Sequence, residues 1–479
     1  MQSDTKTKRT YIKDLKDCLG TEVTIAGWVS TRRDQGKLIF LDFRDKTGYV
    51  QGVILPNAVG AHSVGTQLRS EWVVEVQGKV NARPERNIQK EKQNGELELE
   101  ILSITVLNES ETPIFDISQG TDTREVGEDV RLAYRYLDLR SDRLQKNIRA
   151  RHKVVKFVRD FLDSEGFIEV ETPMLTKSTP EGARDYVVPS RLERGHFYAL
   201  PQSPQQYKQL LMTGGIEKYF QIARCMRDED TRGDRQPEFT QLDLEMSFAI
   251  QGDVMDLNER LLVEIVTKLY PEKRIQQVPF PRISYKEALA KYNSDRPDMR
   301  DDKNDPGLLA FCWVVDFPFF EKTDKGQNGS PWTFTHNPFS RAKPEHENWL
   351  MKNEKIGEIL TSQYDIVLNG FEIGGGSIRN HDPEKLLKVF DIMGYSKESV
   401  EENFGHMLKA FRLGTPPHGG IAWGFDRLMM LLQNEPNIRE VIAFPKTGEG
   451  RDLMMNSPAE ISSEQLLELG ITIKKPEVK

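Results

Sequence analysis

The residues between Phe220 and Glu245 concentrate charged side chains in a pattern that suits a phosphate ligand. Two short runs of alternating apolar and polar residues, which predict antiparallel strands, flank a loop rich in Arg, Asp and Glu. A loop of this composition does not fit a hydrophobic core, so it is either a solvated, salt-bridged hairpin or a surface that faces a polyanion. Arg227 lies where the first run ends, and its guanidinium can donate two parallel hydrogen bonds to a phosphate.

Two later segments combine glycines with charged residues. In Gly414–Leu428 the glycines allow a strand to approach a ligand closely, and Arg427 follows at the start of an apolar helix, where a capping salt bridge is the ordinary alternative. In the segment 364–379, Asp365 and Glu372 bracket an apolar strand. Mg²⁺ binds in proteins through one or two carboxylates together with nucleotide phosphates. These segments therefore predict a site for a nucleotide and a metal ion. For the segment 364–379, the alternative is a Gly-rich turn after an edge strand.

Composition bounds the class of protein. The chain has 479 residues, a net charge of -8 and three cysteines without a CxxC spacing. Its length predicts two or three domains, and its acidity argues against a general nucleic-acid coat protein. The cysteines support neither a disulfide framework nor a zinc site. Because no apolar run approaches the length of a membrane span, we expect a soluble, unprocessed, cytoplasmic protein without a membrane partner.

The pattern of elements predicts an α+β architecture. Five short strands are expected in the first 108 residues, at Thr21–Ser30, Leu38–Phe43, Tyr49–Leu55, Trp72–Val80 and Leu97–Val106. This spacing predicts a small OB-fold β-barrel that accepts single-stranded nucleic acid. Residues 109–135 read as a hinge, and 136–479 as a catalytic domain built on an antiparallel sheet flanked by helices. Its first helix is expected to begin after Ser141 and to end by Gly166. The chain contains no GxGxxG or P-loop motif, which disfavours a Rossmann or Walker site.

Taken together, these segments resemble the three motifs of the class II aminoacyl-tRNA synthetases, in the same order. The helix with Phe167–Pro173 resembles motif 1, which forms the homodimer. Phe220–Glu245 resembles motif 2, and Gly414–Leu428 resembles motif 3. The resemblance implies that Arg227 and Arg427 are catalytic and bind the α- and γ-phosphates of ATP. It implies an ATP site formed by Arg227, Asp228, Glu229, Gln236, Glu372, Gly424, Phe425, Asp426 and Arg427, with Mg²⁺ on Asp365 and Glu372.

Within the class, Thr179–Asp185 and Leu200–Lys208 resemble the aspartate-specific members. The resemblance implies that L-aspartate contacts Glu181, Ser203, Gln205, Lys208, Arg227, Asp243, His336 and Arg379. Lys208 and Arg379 would bind the substrate side-chain carboxylate, and Asp243 its α-ammonium. A buried guanidinium can grip a carboxylate bidentately, whereas asparagine has no second anionic oxygen to offset the desolvation. An asparagine ligase and a non-catalytic paralogue that binds tRNA or amino acids are the alternatives.

The predicted barrel carries an exposed combination of cations, an amide and an aromatic residue. The resemblance assigns the central anticodon base to Phe40 and Gln51 and its neighbour to Arg33. The loop after Arg33 places Gln35 where it can contact the last anticodon base. Stacking of an unpaired base on an aromatic ring contributes about 1–3 kcal/mol, although Phe40 also fits a core position. The expected partner is tRNA-Asp. Because the amide of Gln35 can pair with either pyrimidine at the last anticodon position, we also expect charging of tRNA-Asn.

The chain departs from the bacterial aspartate enzymes in two places. They carry a second histidine after the one that His336 matches, and Asn337 stands here instead. They also carry an inserted domain between motifs 2 and 3. Only a short polar stretch near 292–306 occupies that position, so we expect the inserted domain to be absent.

Overall fold

The computed structural model describes residues 8–178, 182–323 and 329–474. By its internal contacts the chain divides into two compact units, Met1–Arg143 and Leu144–Lys479. None of the helices in the described ranges has the length and apolar character that a membrane crossing requires.

The first unit is built on a closed five-stranded barrel, as the sequence predicts. Its strands are β1 (Glu22–Asp34), β2 (Ile39–Asp45), β3 (Gly48–Ile54), β4 (Val73–Ala82) and β5 (Leu97–Asn108), in the order β1-β2-β3-β5-β4, with helix α1 (Val59–Gly65) between β3 and β4. Side chains alternate along β2: Ile39, Leu41 and Phe43 point into the core, whereas Phe40 and Asp42 point outwards. Phe40 is therefore a surface residue of the barrel.

The segment after the barrel is not an extended linker. It contains the short helices α2 (Glu128–Ala133) and α3 (Arg135–Asp138). Phe115 and Ile117, which lie inside the predicted hinge 109–135, are buried together with Leu137 in a small core. The compact unit that includes the barrel accordingly continues to Arg143.

The second unit is organised around an eight-stranded mixed sheet. It contains β6 (Ile168–Glu169), β9 (Lys218–Met226), β10 (Glu238–Ser247), β12 (Arg282–Ser284), β14 (Phe311–Val315), β17 (Gln363–Leu368), β18 (Phe371–Ile378) and β19 (His418–Gly424). The strand order is β12-β14-β17-β18-β19-β10-β9-β6. The six central strands are antiparallel, as predicted, whereas β12 and β6 pair in parallel with their neighbours at the two edges. Three two-stranded ribbons lie outside this sheet: β7 (Val187–Pro189) with β8 (Phe197–Ala199), β11 (Arg274–Ile275) with β13 (Leu308–Leu309), and β15 (Phe320–Lys322) with β16 (Trp332–Phe334).

The sheet unit also contains helices. They are α4 (Asp142–Ser164), α5 (Gln205–Thr213), α6 (Gln251–Leu269), α7 (Tyr285–Tyr292), α8 (Glu347–Lys352), α9 (Pro383–Ile392), α10 (Lys397–Phe411), α11 (Phe425–Leu432) and α12 (Ser463–Leu469). The main core joins apolar residues of α4, α6 and α11 to the sheet. On β10, Leu242 and Leu244 belong to this core. The alternate residues Gln241, Asp243 and Glu245 therefore point to the opposite face, where the candidate site lies.

The connection where an inserted domain would stand is short and tied down. Residues 293–307, all of them described, contain no helix or strand between α7 and β13. The ammonium of Lys273 donates to the carbonyl of Pro306 at 3.0 Å and to Asn434 Oδ1 at 2.8 Å, and Gln276 Nε2 donates to the carbonyl of Met299 at 2.9 Å. These bonds fix the connection against the sheet unit.

Candidate active site

A cavity of about 370 Å³ lies over the polar face of β10. We call it the Lys208 cavity. Its walls include the predicted aspartate contacts Ser203, Gln205, Lys208, Arg227, Asp243, His336 and Arg379, together with Gln241, Gln363, Asp365 and Glu372. The structure therefore brings together seven of the eight predicted aspartate-binding residues. The eighth, Glu181, lies outside the described residues.

Two buried cations in this cavity are held by two buried carboxylates. Lys208 Nζ lies 2.5 Å from Asp243 Oδ1 and 3.3 Å from Glu245 Oε2. Arg379 grips Glu245 bidentately, at 2.8 and 3.1 Å, and donates to Ser377 Oγ at 2.9 Å. Within this group of four side chains the charges balance. An unpaired charge in a buried site would cost several kcal/mol, so each cation has a carboxylate partner.

Glu245 holds both cations but was not predicted as a site residue from the sequence. Its side chain is fully buried, and the signal that could have found it is its position two residues after Asp243 on the same strand face. Desolvation alone would raise the pKa of Glu245, but Arg379 and Lys208 outweigh it and lower the pKa to about 2. The carboxylate is therefore ionised and orients both cations.

Asp243 keeps one oxygen for a ligand. Its Oδ1 binds Lys208, whereas Oδ2 is buried without a hydrogen-bond partner among the described residues. Gln205 Nε2, on the wall of the cavity, is likewise buried without a hydrogen-bond partner among the described residues. Buried polar atoms are normally paired, so an acceptor and a donor left open point to a polar ligand.

A second cavity of about 290 Å³ adjoins the first, and we call it the Arg427 cavity. It is lined by the predicted ATP contacts Arg227, Glu229, Gln236, Glu372, Gly424, Asp426 and Arg427, with Phe239 and Gln241. Arg227, Glu229, Gln241, Glu372 and Ala422 line both cavities. The two cavities therefore adjoin along the predicted nucleotide-binding hairpin.

Both predicted catalytic arginines line the Arg427 cavity, and Arg227 also lies at its junction with the Lys208 cavity. The Arg227 guanidinium lies over the ring of Phe239, 5.2 Å from its centroid. Arg427 contacts the carbonyl of Glu372 and lies 3.1 Å from Asp234, and its Nε is buried without a partner in the described part of the chain. Gln236 accepts from the backbone of Lys446 at 2.7 Å and leaves its buried Nε2 open. The cavity thus offers donors that suit an anion.

Three of the predicted ATP contacts have side chains that are engaged with other parts of the protein. Phe425 packs in the main core, so its ring cannot stack on a nucleotide. Asp426 lines the Arg427 cavity, but its two oxygens are bound by Arg151 at 2.5 Å and by the backbone N–H of Thr240 at 2.8 Å. Asp228 lines neither cavity and pairs at 3.4 Å with exposed Arg184. The contacts that the structure shows for these three side chains are with other protein groups, and their role towards ATP stays a prediction.

The predicted metal ligands share one small space. A Cβ added to Gly375 would lie 2.8 Å from Asp365 Oδ1 and 3.5 Å from Glu372 Oε1. Burial and the nearby charge of Glu372 raise the pKa of Asp365 well above its usual value. A divalent cation would relieve this repulsion. In the described residues no group of three potential metal-ligating side chains comes together, so a cation here would need phosphate oxygens as further ligands, which is how Mg²⁺ is held.

His336 lies at the mouth of the Lys208 cavity. It is exposed, and its ring stands edge-to-face against Phe317 at 4.8 Å. Asn337, where bacterial members carry a second histidine, uses its Oδ1 to accept from the backbone N–H of Phe339 at 3.0 Å. Position 337 therefore shapes the loop.

The predicted anticodon residues lie together on the outer surface of the barrel. Arg33 on β1 pairs in register with Phe40, and its guanidinium contacts Gln51 at 3.0 Å and Asp42 at 3.2 Å. Gln35 is exposed in the turn between β1 and β2. This surface combines a ring, a cation and amides, the components of a single-strand binding site.

Similarity to known proteins identifies the class to which this fold and site belong. Residues 127–448 match the tRNA synthetases class II (D, K and N), and residues 23–107 match the OB-fold nucleic acid binding domain. The chain therefore belongs to the class II tRNA synthetases of the D, K and N group, which are aminoacyl-tRNA ligases.

Individual relatives narrow the comparison. The aspartate–tRNA(Asp) ligase of Deinococcus radiodurans is 40% identical, with 94% of this chain and 96% of that protein covered. The aspartate–tRNA(Asp/Asn) ligase of Rubrobacter xylanophilus is 42% identical, with 96% and 95% covered. The crystal structure of asparaginyl-tRNA synthetase from Pyrococcus horikoshii with asparaginyl-adenylate has a TM-score of 0.73 at 24% identity, covering 92% of this chain and 98% of that one. At that identity the likeness shows the fold alone.

The relatives are longer than this chain by about one small domain. The alignment with the Deinococcus protein spans 570 positions, which exceeds the 479 residues of this chain by 91. At least that many aligned positions have no counterpart here. This difference in length is consistent with the predicted absence of an inserted domain at 292–306. The absence itself stays a prediction.

Proposed function

We propose that this protein is an aspartate–tRNA ligase that uses ATP to activate L-aspartate and transfers it to tRNA-Asp. The observation that carries the proposal is the buried Lys208 and Arg379 pair at one end of a cavity that adjoins a second, arginine-lined cavity. The 40–42% identity to aspartate–tRNA ligases over nearly the whole chain supports it.

Discrimination between aspartate and asparagine follows from the charge of the cavity. Lys208, Arg379, Asp243 and Glu245 together are neutral. The side-chain carboxylate of aspartate adds a negative charge next to two oriented cations, while its ammonium approaches the open Oδ2 of Asp243. Asparagine brings the ammonium but not the second carboxylate, so it leaves the desolvated cations without their additional partner. This disfavours an asparagine ligase.

The chemistry is two group transfers. An oxygen of the aspartate α-carboxylate attacks the α-phosphorus of ATP. The bond from that phosphorus to the pyrophosphate oxygen breaks, and aspartyl-adenylate and pyrophosphate form. The terminal ribose hydroxyl of tRNA then attacks the aspartyl carbonyl, and AMP leaves. Arg227, at the junction of the two cavities, binds the α-phosphate and the attacking carboxylate. Arg427 binds the γ-phosphate, and Glu229 accepts from the adenine amine. The rate comes from positioning and from cationic stabilisation of the phosphorane.

Asp365 and Glu372 would hold Mg²⁺ together with ATP phosphates. The two carboxylates fit such an ion because they share one space and because burial and the charge of Glu372 raise the pKa of Asp365. When bound, Mg²⁺ would neutralise phosphate charge. Ser203, Gln205 and His336 complete the walls around the amino acid, and we propose Glu181 as a further contact with its ammonium.

The barrel would select the tRNA by its anticodon. Phe40 stacks on the central base, Gln51 binds its edge, and Arg33 binds the neighbouring base. We extend the proposal to tRNA-Asn, because exposed Gln35 can pair with either pyrimidine and because the Rubrobacter relative is named for both tRNAs. The Deinococcus relative is named for tRNA-Asp alone.

The active form is proposed to be a cytoplasmic homodimer. β6, in the segment that resembles motif 1, is the outermost strand of the sheet, and its Ile168 is exposed. Met174, Leu175 and Phe197 add further exposed apolar area. A second copy of the chain would cover such a surface.

Pyrophosphate exchange with each amino acid tests the proposal. The purified protein should incorporate labelled pyrophosphate into ATP with aspartate, and at least about a hundredfold less with asparagine, the range expected when a buried charge loses its partner. Equal exchange with asparagine would assign the alternative substrate. No exchange with either amino acid, in a protein that still binds tRNA, would identify a non-catalytic paralogue.

A further inference from the structure

A buried thiol lies on β9, close to the site. Cys225 stands two residues before Arg227 and pairs in register with Phe239 of β10, so it lies on the same face of the sheet as Gln241, and its side chain is wholly buried. Its Sγ donates to Oε1 of Gln241 at 3.2 Å. Burial raises the pKa of this thiol to about 12, so it keeps its proton and remains a donor at physiological pH.

Gln241 stands where the two cavities meet. It lies on β10 and lines both the Arg427 cavity and the Lys208 cavity. A glutamine amide has one acceptor end and one donor end, so its two orientations present opposite partial charges to a ligand. Because Oε1 accepts from Cys225, Nε2 is the end that is free to turn towards the junction.

We propose that Cys225 is a positioning residue for the activation step, because its thiol holds the Gln241 amide with its N–H donors towards the point where the aspartate carboxylate meets the α-phosphate. This inference rests on the proposed function. During the attack, negative charge develops between the aspartate carboxylate and the α-phosphate, at the junction of the two cavities. The N–H donors of an already oriented Gln241 amide stabilise this charge without reorganising. The reversed amide would instead place the partial negative charge of Oε1 next to it.

The contact is one neutral hydrogen bond, which sets the size of the effect. Such a bond shifts an equilibrium by about two- to tenfold. Loss of the thiol should therefore lower kcat for aspartate-dependent exchange by that factor. KM for ATP and for aspartate should change by less than about twofold, because the ground-state contacts of Arg227, Lys208 and Arg379 remain.

Two substitutions of similar size separate the hydrogen bond from packing. Cys225→Val fills the site without a donor, whereas Cys225→Ser keeps a donor with a shorter reach. We expect Val to lower kcat and Ser to restore most of it, with unfolding midpoints measured for both. In a Gln241→Met background, which has no amide to orient, Cys225→Val should have no further effect on kcat. A Ser variant no better than Val, or an undiminished effect in the Met background, would show that the thiol acts through packing alone.

Infrared spectroscopy tests the contact without relying on activity. The difference spectrum between the wild-type protein and Cys225→Ser isolates the S–H stretch of this thiol from those of Cys18 and Cys312. Gln241→Met should shift the band to higher frequency, because the thiol loses its acceptor. An unshifted band would overturn the inference even in an active enzyme. A wild-type protein without exchange would instead overturn the proposed function, whatever the position of the band.

Discussion

Replacing Arg379 by leucine removes the best-held cation of the Lys208 cavity. The guanidinium is 3% exposed and makes two hydrogen bonds to Glu245 and one to Ser377. Without it, Lys208, at 3.3 Å, is the ion-pair partner that Glu245 keeps among the described residues. Removing one partner of a buried ion pair costs about 3–5 kcal/mol, because the other charge stays buried. We expect the free energy of unfolding to fall by an amount in this range.

The effect on activity should be larger for aspartate than for ATP. A charge pair that is desolvated on binding is worth about 2–5 kcal/mol, which corresponds to a loss of about 30- to 5,000-fold in kcat/KM for aspartate. ATP should bind almost as before, because Arg379 lines only the Lys208 cavity. Asparagine should not become a substrate, since Lys208 remains.

The assay is aspartate-dependent pyrophosphate exchange, with unfolding by denaturant measured on the same samples. Arg341→Leu is the matched control, because Arg341 pairs at 2.7 Å with half-buried Glu347, outside both cavities. A partly exposed pair is worth at most about 1 kcal/mol, so exchange should be retained in this control. A folded Arg379→Leu protein with a near wild-type KM for aspartate would refute the assignment of Arg379 as the residue that selects the substrate.

Four further outcomes are expected. Glu372→Gln should weaken the use of ATP far more than aspartate binding, with partial recovery at high Mg²⁺; full activity at ordinary Mg²⁺ would exclude a ligand role. Phe40→Ala should raise KM for tRNA by about 5- to 150-fold and leave adenylate formation intact, because the ring lies outside the barrel core; an equal loss of adenylate formation would mean that the protein unfolds. Transcripts of tRNA-Asp and tRNA-Asn, aminoacylated side by side, should both be charged, and a preference above about a hundredfold would refute relaxed recognition. The pKa of Glu245 is depressed to about 2, so its contribution is complete above the ordinary pKa of 4.5 and is lost as the pH falls towards 2. The difference in unfolding free energy between wild type and Glu245→Gln should shrink over that interval, and a constant difference would contradict the ionised carboxylate.

Much of the architecture could be predicted because the signals are local. The alternation at 21–106 and the turns between its runs specify five strands, and the barrel that they form was predicted from their number and spacing. The helical spacing after Ser141 and the stop at Gly166 agree with α4 (Asp142–Ser164). Arg227 and Arg427 could be selected because each stands at a recognisable place in a motif.

The structure alone decided which charges meet in the site. Glu245 and Arg379 are 134 residues apart, and Arg151 and Asp426 are 275 apart. Whether such residues touch depends on strand order and register, which residue spacing does not encode.

Cys225 and Gln241 illustrate the same limit at short range. They are 16 residues apart on neighbouring strands, yet nothing in their spacing indicates that the thiol meets the amide. The sequence by itself determined the elements and the chemical types available at the site, because periodicity and composition act over a few residues. Only the tertiary structure decided which carboxylates neutralise the buried cations and which end of the Gln241 amide meets the Cys225 thiol, because buried charges and donors pair with whatever the fold brings within hydrogen-bond distance.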